Sequence, residues 1–121
     1  MGSRRMGLDL DQLREQLREF ALERDWERFH SPKNLAMALA VESAELLEHF
    51  QWLTEAESAK LSAERQPAVA AELCDVLFYL VRLADRLDID LAAASAAKLA
   101  ENAAKYPAER VRGSARKYDE Y

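Results

Sequence analysis

Two acidic doublets sit where a folding chain should least want charge. Glu42-Ser43-Ala44-Glu45 lies inside the apolar run from Leu35 to Phe50. Glu72-Leu73-Cys74-Asp75 runs straight into Val76-Leu77-Phe78-Tyr79-Leu80-Val81. In each doublet the carboxylates are three residues apart, which on a helix puts them one turn apart on one face. A carboxylate withdrawn from water costs several kcal/mol unless something compensates it. Four of them on two packed helices also repel one another. A hard divalent cation removes both penalties, and Mg²⁺ takes oxygen ligands from a few carboxylates together with water and substrate phosphates. The doublets Glu42/Glu45 and Glu72/Asp75 therefore read as a Mg²⁺ site. The competing reading is a solvated strip, as most isolated acid pairs on helices are. Two doublets with apolar flanks weigh against it.

The rest of the chain supplies helices to carry these acids. Its 121 residues suffice for one domain, 1–121, with a modest core. Alanine and leucine dominate, Gly and Pro number only three each, and no alternating β-branched run appears, so the fold class is all-α. A net charge of −5 argues against a nucleic-acid partner, which needs a basic stripe. The single Cys74 rules out an internal disulfide and suits a reducing compartment. In the middle of an apolar helical run it reads as a small core residue. No stretch has the length and purity of a membrane span, and the start lacks the apolar core of a signal peptide. A soluble, cytoplasmic protein with no membrane partner is expected.

Four main helices follow from the periodicity. The first runs from about Asp9 to Arg24, with Leu10, Leu13, Leu17, Phe20 and Ala21 on one stripe. A connector, Asp25 to His30, leads to Ser31-Pro32, an N-cap followed by a proline at the first helical position. The second helix extends from Pro32 to about Trp52. Its middle, Leu35 to Val41, is apolar on every face, and a helix apolar all round is buried all round. One layer of partner helices in so short a chain hardly provides that, so a homodimer or homotetramer is expected. Thr54-Glu55-Ala56-Glu57 has capping-box spacing. Either Ser62 or Pro67 opens the third helix, which continues to about Leu87. Asp90 caps the fourth, Leu91 to about Tyr106. Residues 1–8 and 110–121 read as flexible or extended tails.

Further side chains offer chemistry. Lys98, Asn102 and Lys105 fall at i, i+4 and i+7 on the fourth helix. They form either a solvated face or a phosphate clamp. Trp26, Phe29, Trp52 and Tyr79 offer flat faces for stacking a base, or plugs for a core. His49, four residues after Glu45, reads as surface or interface. A di-iron carboxylate bundle would want Glu-x-x-His on two helices, and neither doublet supplies it. A non-enzymatic helical interaction module, with its acids merely solvated, is the rival from another class.

With these residues in order, the chain resembles the MazG-like, all-α nucleoside triphosphate pyrophosphohydrolases, in particular the dCTP pyrophosphatase branch. The matching segments are Glu23 to Asn34, Glu42-x-x-Glu45, Phe50-Gln51-Trp52, Glu72-x-x-Asp75 with Val76 to Tyr79, and Asn102 with Lys105-Tyr106-Pro107. Arg112-Gly113-Ser114-x-Arg116-Lys117-Tyr118 is similar too. The resemblance implies an oligomeric helical bundle. It also implies Mg²⁺-dependent hydrolysis of a nucleoside triphosphate, such as dCTP or a modified dCTP, to the monophosphate and pyrophosphate. Carried over, it makes Glu42, Glu45, Glu72 and Asp75 the metal ligands. It puts Trp26, Glu27, Arg28, Phe29 and His30, with Trp52 and Tyr79, around the base and sugar. Lys98, Asn102, Lys105 and Tyr106 would face the phosphates. Attack at the α-phosphorus needs a water that loses a proton, and Glu42 or Glu45 is within the range of roles for that catalytic base.

Overall fold

The structure is a computed structural model and describes residues 7–114. Among these residues there are six α-helices, one 3₁₀ turn and no strand, in accord with the all-α expectation. They are α1 (Leu10–Glu23), the 3₁₀ turn (Glu27–Phe29), α2 (Pro32–Glu48), α3 (Glu55–Ala59), α4 (Arg65–Arg86), α5 (Leu91–Lys105) and α6 (Ala108–Val111). The chain forms two compact units, one through residue 88 and one from residue 89 onward.

Helix starts follow the capping residues. Asp9 accepts from the Asp11 and Gln12 amides at 3.0 and 3.2 Å. Ser31 Oγ accepts from the Asn34 amide at 3.1 Å, with Pro32 in the first turn. Asp90 accepts from the Ala93 amide at 3.1 Å. Thr54 and Glu57 complete a reciprocal capping box, at 2.9 and 3.1 Å. Each satisfies an amide that the helix itself leaves orphaned. Neither Ser62 nor Pro67 opens α4, which starts at Arg65 after Glu64 with no side-chain cap; Ser62 stands in the turn before it. The Ser62 hydroxyl accepts from the Arg65 amide at 3.2 Å, and Pro67 falls in the first turn, where it has no intrahelical bond to break.

Two expected boundaries move. The second helix ends at Glu48, a turn short of Trp52, because the Phe50 and Gln51 amides both bond to the Leu47 carbonyl and the chain tightens into turns. Arg110 and Val111 lie in α6, not in an extended tail, since Pro107 heads a new helical turn. Arg116, Lys117 and the rest of the expected tails, at 1–6 and 115–121, lie outside the described residues.

The core of the first unit is α2 packed on α4, with α1 also against α4. Ala21, Leu35, Val69, Val81 and Ala84 are buried. Arg65 Nη1 donates to the His49 carbonyl at 2.6 Å, tying the end of α2 to the start of α4. The two helices therefore run antiparallel, which brings their midpoints, and so the acids, together. Leu35 is covered, but Met37, Val41 and Leu47 on other faces of α2 are exposed, as are Leu73 and Leu80 on α4. Cys74 is exposed as well, not a core residue: it sits on an α4 face that the described residues leave uncovered.

The end of α1 sets up the site. Asp25 has a left-handed backbone, with φ of 54°. The Trp26 amide bonds to the Ala21 carbonyl at 2.9 Å and the Asp25 amide to Leu22 at 3.1 Å, a Schellman motif. This reversal turns Trp26 back along α1. Asp25 is exposed, and its ion pair with Arg28 is a surface pair of little energetic weight. Asp25→Gly, which removes the Cβ strain of the left-handed conformation, is expected to stabilise the protein by about 0.5–1 kcal/mol in a urea titration.

Candidate active site

Three of the four predicted ligands converge. Glu42 and Glu45 from α2 and Glu72 from α4 each present a carboxylate oxygen within 4.8 Å of the other two. The close approach is costly in the absence of a positive partner. Glu42 is held above the ordinary carboxylate range, first by its approach to Glu72 and then by burial. Glu45 is raised as well, chiefly by Glu42. One oxygen of Glu42 and one of Glu72, both Oε2, are buried without a hydrogen-bond partner. Unsatisfied buried oxygens on two carboxylates of a converging trio are what a cation would complete, so the donor set fits a hard divalent ion.

Asp75 is not within that trio. It follows Glu72 by a turn on α4 and lines an adjoining pocket of about 310 Å³. Its charge still reaches Glu42 and helps to raise it. The pocket walls are Phe20, Trp26, Phe78 and Tyr79, with His30 and Arg82 as polar members. The Trp26 ring meets the edge of Phe20 at 5.7 Å between centroids and lies 6.4 Å from the His30 ring. Burial, followed by the nearby Arg82 charge, pushes His30 below its usual range and favours the neutral imidazole. A mostly apolar cavity of this size with a few polar groups suits a small planar ligand.

Behind the pocket lies an ion-pair network. Arg82, only 3 % exposed, donates to Asp85 at 3.1 Å and to Glu27 at 3.3 Å. Arg86 approaches the other oxygen of Glu27 at 3.6 Å. Asp85 accepts two hydrogen bonds from Arg18 of α1. Arg82 is the polar pocket-lining residue that sequence reasoning missed. Its signal is position: it stands seven residues after Asp75 and three after Tyr79, on the same stripe of α4.

The other predicted residues are placed as follows. Trp26, His30 and Tyr79 line the pocket. Glu27 faces Arg82 and Arg86. Arg28 pairs with Asp25 and stacks on Phe29 at 4.9 Å; neither Arg28 nor Phe29 lines the pocket. Trp52, 87 % exposed, follows the end of α2 that abuts the start of α4, whereas the pocket lies towards the end of α4. In the second unit, Lys98 and Lys105 both reach Glu101, at 3.7 and 2.9 Å. The Asn102 carbonyl accepts from the Tyr106 amide at 2.8 Å.

An acidic trio shared by two antiparallel helices, beside an aromatic pocket, marks a helical protein with a candidate metal centre, and sequence comparison supplies the family. The chain belongs to the MazG-like family, whose model matches residues 37–121. Among individual relatives, it is 47 % identical to human dCTP pyrophosphatase 1 over 113 residues, or 92 % of this chain and 66 % of that protein. It is 46 % identical to the rat dCTP pyrophosphatase 1 over 90 % of this chain and 65 % of that protein. The chain thus spans just under two thirds of the length of these relatives. A crystal structure of a pyrophosphatase from Archaeoglobus fulgidus superposes with a TM-score of 0.77 at 37 % identity, covering 88 % of this chain and 99 % of that one.

Proposed function

We propose that this chain is a Mg²⁺-dependent nucleoside triphosphate pyrophosphohydrolase. Its substrate is dCTP or a modified dCTP, and its products are the monophosphate and pyrophosphate. The observation that carries this reading is the convergence of Glu42, Glu45 and Glu72, with two orphaned buried oxygens, next to an aromatic pocket. The names of the relatives support the nucleotide. A divalent ion bound by the trio supplies charge neutralisation for the triphosphate. Trp26 and Tyr79 hold the base between them, and neutral His30 offers a ring nitrogen to its edge. Asp75, between trio and pocket, faces the sugar or a second ligand position. Glu45, the more exposed acid of α2, takes the proton from the attacking water. Lys98, Asn102, Lys105 and Tyr106 are assigned to the phosphates on resemblance alone.

The working form is a homodimer or homotetramer. Met37, Val41, Leu47, Leu73 and Leu80 are large apolar side chains that the single chain leaves exposed, and a symmetric partner buries such faces. Trp52 then serves a site completed by the partner. The work is nucleotide-pool sanitation in the cytoplasm, without nucleic-acid or membrane partners. Pyrophosphate release from a panel of canonical and 5-modified triphosphates, with and without Mg²⁺, tests the activity. Equimolar monophosphate and pyrophosphate, formed only with Mg²⁺, is the expected result. Thermal melts unmoved by Mg²⁺ and a non-hydrolysable triphosphate would instead favour an interaction module.

A further inference from the structure

We propose that Arg82 is a positioning residue that sets the width of the aromatic pocket by holding Glu27, and with it the Trp26–His30 segment, against α4. The inference rests on the reading of that pocket as the base site. The 3₁₀ turn over Glu27–Phe29 has no side-chain cap and no buried residue, so its own bonds hold it weakly. Its side-chain tie to α4 is Glu27, whose two oxygens meet Arg82 and Arg86. Surface ion pairs ordinarily contribute little. This pair differs because the Arg82 side chain is nearly enclosed, and Asp85 fixes its other nitrogen. The guanidinium has little freedom to leave Glu27.

The geometry gives this tie a function. Trp26 and His30 flank the 3₁₀ turn on either side and both line the pocket. Tyr79 forms the wall carried by α4, and Arg82 lies one turn further along the same helix. One helical turn therefore supports Tyr79 directly and Trp26 through Glu27. A gap fixed in this way holds a flat ring in one position, with its edge against the polar members of the pocket, His30 and Arg82. A loosened gap still binds triphosphate at the acids but discriminates less between bases.

Glu27→Gln keeps the shape of the side chain while removing its charge, and leaves Arg82 paired with Asp85. The expected result is a KM for dCTP raised about tenfold with kcat changed by less than about twofold, since misplacement of a positioning group weakens binding before chemistry. Selectivity for dCTP over dATP should fall by a similar factor. In a Trp52→Phe background Trp26 is the only tryptophan, and acrylamide quenching of its fluorescence should increase on Glu27→Gln. Arg82→Lys, which keeps the charge but loses the two-pronged geometry, should shift KM and quenching in the same direction. Unchanged KM, selectivity and quenching in Glu27→Gln would overturn the proposal, as would equal losses in kcat and kcat/KM. If the parent protein hydrolyses no triphosphate, the functional reading falls, and the quenching comparison alone decides whether Glu27 holds the segment.

Discussion

Glu42→Gln is expected to cut pyrophosphate release by at least about 10²–10³-fold and, at the same time, to make the metal-free protein melt higher than wild type. The two effects have one cause. Glu42 is raised above its ordinary value near 4.5, first by Glu72 and then by burial. A carboxyl whose folded pKa is raised favours folding below its unfolded pKa, and that contribution is lost as pH rises through the folded value. At neutral pH the metal-free wild type therefore holds Glu42 in a place that disfavours its charge. Glutamine carries no charge and relieves the strain, but offers a poorer ligand. Mg²⁺ should raise the wild-type melting temperature and leave the variant nearly unmoved. The advantage of the metal-free variant should shrink as pH falls towards 4.5. Calorimetry at two pH values, with and without Mg²⁺, measures all of this. An inactive variant that melts no higher than wild type would mean that the trio does not repel.

The contrast between what was legible in the sequence and what was not has a physical basis. Asp9, Ser31, Thr54 and Asp90 act as caps because capping involves amides two or three residues away. The acidic doublets were legible for the same reason: each is local, and each contradicts its apolar surroundings. The end of α2 was harder to place, since apolar residues continue past Glu48 while the backbone tightens into turns. Cys74 misled because hydrophobic neighbours in sequence do not say which helix face the same chain covers. The ion-pair network was invisible for a different reason. Arg18 meets Asp85 across 67 residues of sequence, and Arg82 meets Glu27 across 55. An arginine on a helix ordinarily reads as solvated surface, and only the fold shows Arg82 enclosed.

That enclosure makes Asp85→Asn the most damaging single change expected outside the acidic trio. Asp85 and Arg82 are both nearly buried, with side chains 7 % and 4 % exposed. Removing one member of a buried pair leaves the other charge uncompensated, at a cost of about 3–5 kcal/mol. Against a total stability of about 5–15 kcal/mol for an ordinary domain, that is about a fifth of the margin or more. Asparagine keeps the volume, so the loss reports charge rather than packing. Arg82 would retain Glu27, but Glu27 is partly exposed and already shared with Arg86, so it cannot replace the lost partner. The urea midpoint should fall with the slope unchanged. Acid should expose the contribution of the Asp85 charge in the wild type as well. The Arg18 guanidinium holds the Asp85 carboxyl below its usual value of 3.8. A depressed carboxyl contributes stability that is present above the unfolded pKa and lost as pH falls through the folded one. Wild type should thus lose its advantage over Asp85→Asn only below pH 3.8. A cost under about 1 kcal/mol at neutral pH would place the pair in effective contact with water, as for a surface ion pair, and would remove the rigid anchor on which the pocket wall depends.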